Sequence, residues 1–428
     1  MRNNFNYLLD LKYIRVYCDF PDNFNCLILA IYHYKFGWLI MVVMIRRCFI
    51  VYIEPRDFVE IDFADLCAGG AGTLRTQGWV ALAPHLGSEC RITEDEVLLL
   101  GRFSPNHWRE VNIVDDMAVI TSLLSKGLLI EADADLNQVH QRDNAQRESQ
   151  WHPLAATYHA FTRWDNVDSA QATKDAGAET ADELTETFGP PPPEQCLRGS
   201  SEPIPLPRGT NGYLDEILQR RTTCRNFDGE AVIGVDVFAK VMERTFAANA
   251  VLKAGEGIAF LKRSSPSGGG LHPLDAYLVI RNISGLIDGI YHYLPVDHAL
   301  ERLQLGGSDI NRIALEILAG QDWFANAQVI VALCPRYLRN FWKYRAHAKA
   351  YRALALEAGH FSQTLYLAAT DAGLGAFVTC AINEIQLENL FGLEPVTEGI
   401  LAVCGFGVRG QRMETMELDP NNEVWSRC

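Results

Sequence analysis

Ser264-Ser265-Pro266-Ser267-Gly268-Gly269-Gly270-Leu271-His272-Pro273 stands shortly before an apolar run, Ala276-Tyr277-Leu278-Val279-Ile280. The run reads as a buried strand. Three consecutive glycines let a backbone approach a flat ligand with no Cβ in the way. Serines 264, 265 and 267 add hydrogen-bonding hydroxyls, and Pro266 and Pro273 stiffen the flanks. The plain alternative is a Gly/Ser-rich tight connection. Such a loop rarely needs close approach, hydroxyls and rigid flanks together.

Three further segments carry chemistry. Arg221-Thr222-Thr223-Cys224-Arg225-Asn226-Phe227 follows the amphipathic stretch Tyr213 to Arg220. Two arginines with hydroxyls between them suit a phosphate; a basic helix end is the plain reading. Gly373-Leu374-Gly375-Ala376 ends a helical pattern that starts near Lys349, with Leu354, Ala358, Phe361, Leu365 and Ala369 at helical spacing. Gly373 suits a C-cap, and Gly375 permits a second close approach. Phe341-Trp342-Lys343-Tyr344-Arg345 precedes that helix. A Lys-Tyr pair by itself is usually solvated.

Taken in chain order, the four segments resemble the SagB-type dehydrogenases, nitroreductase-fold, FMN-dependent oxidases that mature ribosomally made peptides. The likeness covers roughly residues 205–410. It implies that Arg221, Thr222, Thr223 and Arg225 hold the FMN phosphate and ribityl chain, with Arg409 a further phosphate contact. The family often has a second basic residue where Thr222 sits. It also implies that Ser265, Pro266, Ser267, Gly268 and Gly269 contact the flavin, and that Gly373, Leu374 and Gly375 lie against its reactive edge. In the azoline-oxidising branch a Lys-Tyr pair lies just before a helix containing Leu-Glu-Ala-Gly-His, here Leu356 to His360. Lys343 and Tyr344 are therefore expected to be the catalytic pair. Desolvation beside an apolar ring lowers a lysine pKa and suits it to act as a base. His360 is expected to make a core hydrogen bond.

The chain has 428 residues, 48% hydrophobic and 21% charged, so more than one globular domain is expected. A formal net charge of -15 argues against a nucleic-acid partner. None of the 11 cysteines forms a Cys-x-x-Cys pair, so no metal site is expected. The run Cys26 to Ile45 is apolar, but His33 and Lys35 interrupt it, which a membrane span resists. A soluble, cytoplasmic chain with no membrane contact is the expectation.

Five parts are expected. Residues 1–43 read as an extension foreign to the fold. Residues 44–135 read as a winged-helix-like α/β domain, with a strand at Cys48 to Ile53, a helix start at Thr93, and a helix followed by a strand at 119–130. The resemblance makes this domain a clamp for a precursor's leader peptide, bound by strand addition. Residues 136–204 form a linker with an aromatic-His helix at 151–164, an Ala/Asp/Glu-rich stretch and the Gly189-Pro193 break. Residues 205–412 alternate helix and strand patterns, an α+β fold with a central mixed sheet flanked by helices, nitroreductase-like. Residues 413–428 read as a tail.

The resemblance implies a homodimer with FMN at the subunit interface and oxidation of an azoline, made by a cyclodehydratase partner, to an azole. Two other readings stand beside it. One is an NAD(P)H-dependent reductase of dehydroamino acids, nitro compounds or quinones. The other is a non-catalytic peptide-binding subunit.

Overall fold

A computed structural model describes residues 43–111, 116–132, 138–195, 202–210, 212–304 and 309–425, together with a strand pairing of 33–34 with 37–38. Apart from that pairing and Val43, the expectations for residues 1–43 fall outside the described residues. So do Cys18, Cys26, Cys196 and Cys428.

A six-stranded sheet organises the larger half. Its order is Ala299–Arg302, Gly289–Leu294, Leu274–Ile280, Val329–Pro335, Ala402–Gly407 and Gly375–Thr379. These pairs are antiparallel, and parallel pairing enters through the isolated bridges Thr223 to Ala376, at the edge strand, and Ile233 to Ile283. Val329–Pro335 is buried at every position. Its side chains alternate between two layers, which is why it reads as a continuous apolar run. Val329, Val331 and Leu333 meet Leu354, Ala358, Phe361 and Leu365 of the long helix Ala350–Asp371. Ile330, Ala332 and Cys334 meet the helices Ile310–Ile317 and Glu384–Phe391 on the other side. The result is helices on both faces of a sheet, the expected α+β architecture.

A smaller α/β unit precedes it. Val43–Arg47 lies between Arg109–Val111 and Leu129–Glu131. The long hairpin Tyr52–Ile61 with Thr73–Leu82 extends from it. The helices Glu94–Leu100 and Met117–Ser125 cover a core of Ile45, Leu99, Ile120 and Leu123. Thr93 and Glu96 form the capping box that the sequence signals.

The strand expected at Cys48 to Ile53 is broken. The first strand ends at Arg47 and the next begins at Tyr52. The Cys48 N–H donates to the Leu128 carbonyl in the register of the preceding ladder, and the Phe49 N–H then leaves it for the fully buried Asp143 carboxylate. The aromatic-His helix is present as Pro153–Phe161, and Trp151 packs against Tyr337 and Phe341. The Ala/Asp/Glu-rich stretch contains the helices Ser169–Asp175 and Ala181–Phe188. Nor is the C-terminal segment a free tail, because the Glu417 carboxylate accepts from the Arg225 and Asn226 N–H groups and from the Trp425 indole. Among the described residues no helix is long and apolar enough to cross a membrane.

Phe377 is fully buried and stacks on Phe324 with ring centroids 4.3 Å apart. Phe377→Ala is expected to cost about 3–5 kcal/mol. Urea unfolding should show a lower midpoint at unchanged slope.

Candidate functional site

The site is built around the long helix. Glu357, His360 and Thr364 follow one another at spacings of three and four and so form a single stripe. The Gly-rich loop lies along that stripe. Ser267 donates to Glu357 Oε2 at 2.5 Å, Ser265 shares a hydrogen bond with Thr364 at 2.8 Å, and His360 Nδ1 meets the Pro266 carbonyl at 3.3 Å. His360 is exposed, so its expected core hydrogen bond is replaced by this contact with the loop.

The loop backbone is left-handed at three places, Gly269 (φ 63), Gly270 (φ 70) and His272 (φ 46). A Cβ built on Gly269 would lie 2.5 Å from Lys343 Nζ and 2.8 Å from the Tyr344 hydroxyl. Glycine therefore leaves the space in which the Lys-Tyr pair reaches the loop. That pair sits at the C-terminal end of the helix Tyr337–Tyr344, with Lys343 exposed and Tyr344 half-buried.

The second cluster gathers on the other side of the long helix. Tyr366 is two residues from Thr364, a rotation of roughly 200°. Its hydroxyl shares a hydrogen bond with Thr223 at 2.9 Å, and the Arg221 guanidinium lies 5.3 Å from its ring centroid. Gly373 (φ 73) follows the helix end, and Leu374 leads into the edge strand that begins at Gly375. A Cβ on Gly375 would lie 2.5 Å from Cys224 Sγ, so the strand and the Arg221–Phe227 segment touch backbone to side chain.

Arg409, Thr222 and Arg225 are drawn together differently. Arg409 pairs with Glu417 and donates to the Thr222 hydroxyl at 3.0 Å. The Arg225 guanidinium makes a 3.5 Å contact with the Met416 carbonyl. Despite its desolvation, the hydrogen bonds to Glu417 hold that carboxyl below its usual pKa. Arg409 thus already has an anion, and Arg221 with Thr223 forms the more open pair.

One buried group has no counterpart in the sequence-based site. Glu357 is 2% exposed, and burial raises its pKa to about 7 against the Ser267 hydrogen bond and the Arg263 charge. The signal was present in the spacing. Glu357 is three residues after Leu354 and four before Phe361, on the helix's buried side.

Residues 217–408 match the family model described as Nitroreductase family. Their fold is nitroreductase-like. The chain is similar to MJ1384 of Methanocaldococcus jannaschii, named as a nitroreductase, at 26% identity over 196 residues, 46% of this chain and 92% of that one. It is 27% identical over 145 residues to the trifolitoxin-processing protein TfxB of Rhizobium leguminosarum bv. trifolii, 33% of this chain and 38% of that one. It is 28% identical over 161 residues to the microcin B17-processing protein McbC of Escherichia coli, 34% of this chain and 54% of that one. The chain thus spans about half or less of the length of these two peptide-processing relatives. A chain of the E. coli microcin synthetase McbBCD complex with truncated pro-MccB17 bound is similar at TM-score 0.48 and 19% identity, covering 65% of this chain and all of that one. Nitroreductase A of Vibrio parahaemolyticus is similar at TM-score 0.34 and 14% identity, covering 48% of this chain and 71% of that one.

Two outcomes test the geometry. Gly375→Ala pushes a methyl into the fully buried Cys224 and is expected to cost about 1–3 kcal/mol in urea unfolding. Glu357 has a folded pKa raised above its unfolded value, so its favourable contribution is complete below the unfolded pKa and is lost as pH rises to about 7. Glu357→Gln removes that loss. Its stability relative to the unaltered protein is expected to rise by about 2 kcal/mol between pH 5 and pH 8, read by denaturation at each pH.

Proposed function

We propose that this protein is an FMN-dependent dehydrogenase that oxidises azolines to azoles in a ribosomally made peptide. The observation that carries the reading is the meeting of Lys343 and Tyr344 with Gly269 of the Gly-rich loop. The peptide-processing names of two relatives support the substrate class.

Arg221 and Thr223 suit the FMN phosphate, one as a cation and the other as a hydroxyl donor. The loop from Ser265 to Gly269 and the turn from Gly373 to Gly375 suit the ring, since glycine backbone at both lets N–H groups approach it closely. The two clusters occupy opposite sides of the long helix, which is about 10 Å thick. One cofactor engages both only when a second copy of the chain supplies one of them. Leu214, Leu218, Trp342 and Leu356 are exposed apolar side chains that such a dimer would cover.

Aromatising an azoline removes two hydrogens. Lys343 takes one as a proton, and Tyr344 orients its amine. Bound FMN supplies the acceptor for the other hydrogen with both electrons, and dioxygen is the final oxidant. Packing against the dimer partner would strip water from Lys343, which is exposed in the single chain. The smaller α/β unit would hold the leader of the precursor, and a cyclodehydratase would supply the azoline.

The test is anaerobic mixing of the FMN-loaded full chain with a thiazoline peptide or with NADPH. Bleaching of the flavin band by the peptide is expected, slowed about 10²–10⁴-fold in Lys343→Ala. Bleaching by NADPH alone would make the protein a reductase instead.

A further inference from the structure

We propose that Glu357 is the positioning residue of the site. Through the Ser267 hydroxyl it fixes the loop backbone that meets Lys343 and Tyr344. The functional half of this proposal rests on the flavin reading above; the structural half does not.

Ser267 is a pivot with two partners. Its hydroxyl donates to Glu357 and accepts the His272 N–H at 2.9 Å. A hydroxyl has one proton, so a carboxylate that claims it leaves the lone pairs for the N–H. That N–H belongs to the loop's left-handed residue without a glycine, His272 (φ 46). A side chain held in that region needs its surroundings to hold it there. The chain of contacts therefore runs from Glu357 to Ser267 and on to the His272 backbone. Gly269 and Gly270, which share the strained conformation, lie between the two loop residues so clamped.

The surroundings make Glu357 hard to replace by water. Arg263 is 2% exposed and His272 is 4% exposed. Glu357 Oε1 and His272 Nδ1 stand 3.9 Å apart, and neither has a hydrogen-bond partner among the described residues. Arg339 holds the same loop from the other end, donating to the Leu271 carbonyl at 2.6 Å. A carboxylate buried among Arg263, Arg339 and His272 carries a desolvation cost that packing alone would not require. The Ser267 hydrogen bond ties it to the loop.

The experiment is hydrogen exchange by mass spectrometry on the full chain, comparing Glu357→Ala, Ser267→Ala and Glu357→Gln with the unaltered protein. Exchange in residues 264–272 is expected to be about tenfold faster in both alanine variants, with residues 329–335 unchanged. Gln keeps an acceptor for Ser267, so Glu357→Gln should retain most of the protection. FMN titration of the same proteins should show affinity weakened about tenfold in the alanine variants and largely restored by Gln. Unchanged loop exchange in Ser267→Ala overturns the proposal, and so does equal acceleration across the whole chain in both alanine variants. Faster loop exchange with unchanged FMN affinity also overturns the positioning role. If the unaltered protein takes up no FMN, the flavin reading fails, and the exchange pattern still decides whether Glu357 holds the loop.

Discussion

The long helix Ala350–Asp371 has to satisfy three neighbours at once, and the rest of the molecule is arranged around that demand. Leu354, Ala358, Phe361 and Leu365 press on the sheet. Glu357, His360 and Thr364 face the Gly-rich loop, while Tyr366 meets Thr223 and Arg221. A helix has a fixed angular step, so choosing one face for the core assigns the other faces as well. The sheet order fixes where the helix lies, and the helix then fixes which motifs can meet.

Polar groups beneath the loop follow from the same packing. A loop with left-handed backbone at Gly269, Gly270 and His272 has no ladder to hold it. Beyond the local bonds of the Gly270 and Leu271 N–H groups to the Ser267 and Gly268 carbonyls, side chains hold it, and Ser265, Ser267 and Arg339 make those contacts. Burial of Arg263, His272 and Glu357 in one place is costly unless they partner one another or the loop. The Lys343–Tyr344 pair then has a firm backbone to stand against.

The C-terminal segment shows how one carboxylate reorganises a cluster of cations. Glu417 gathers the Arg225 N–H, the Asn226 side chain, Arg409 and Trp425. Arg409 and Thr222 are joined as a consequence. Arg221, one residue away in sequence from Thr222, escapes this network because Tyr366 holds it on the other side of the Thr222–Thr223 step.

Most of the elements could be read from the chain itself. Val329–Pro335 and Ala402–Gly407 are apolar runs because both of their faces are covered, and the long helix shows its period because only one of its faces meets the sheet. The Gly-rich loop and the Lys-Tyr pair were visible as residue types suited to close approach and proton transfer. Other features needed the fold. The break after Arg47 depends on Asp143, 94 residues beyond Phe49, claiming a backbone N–H. The Glu417 network and the role of Glu357 likewise depend on contacts distant in the chain. Local periodicity records how a segment meets water and core. It carries no record of which distant group will satisfy a buried hydrogen bond, and tertiary structure alone decides that.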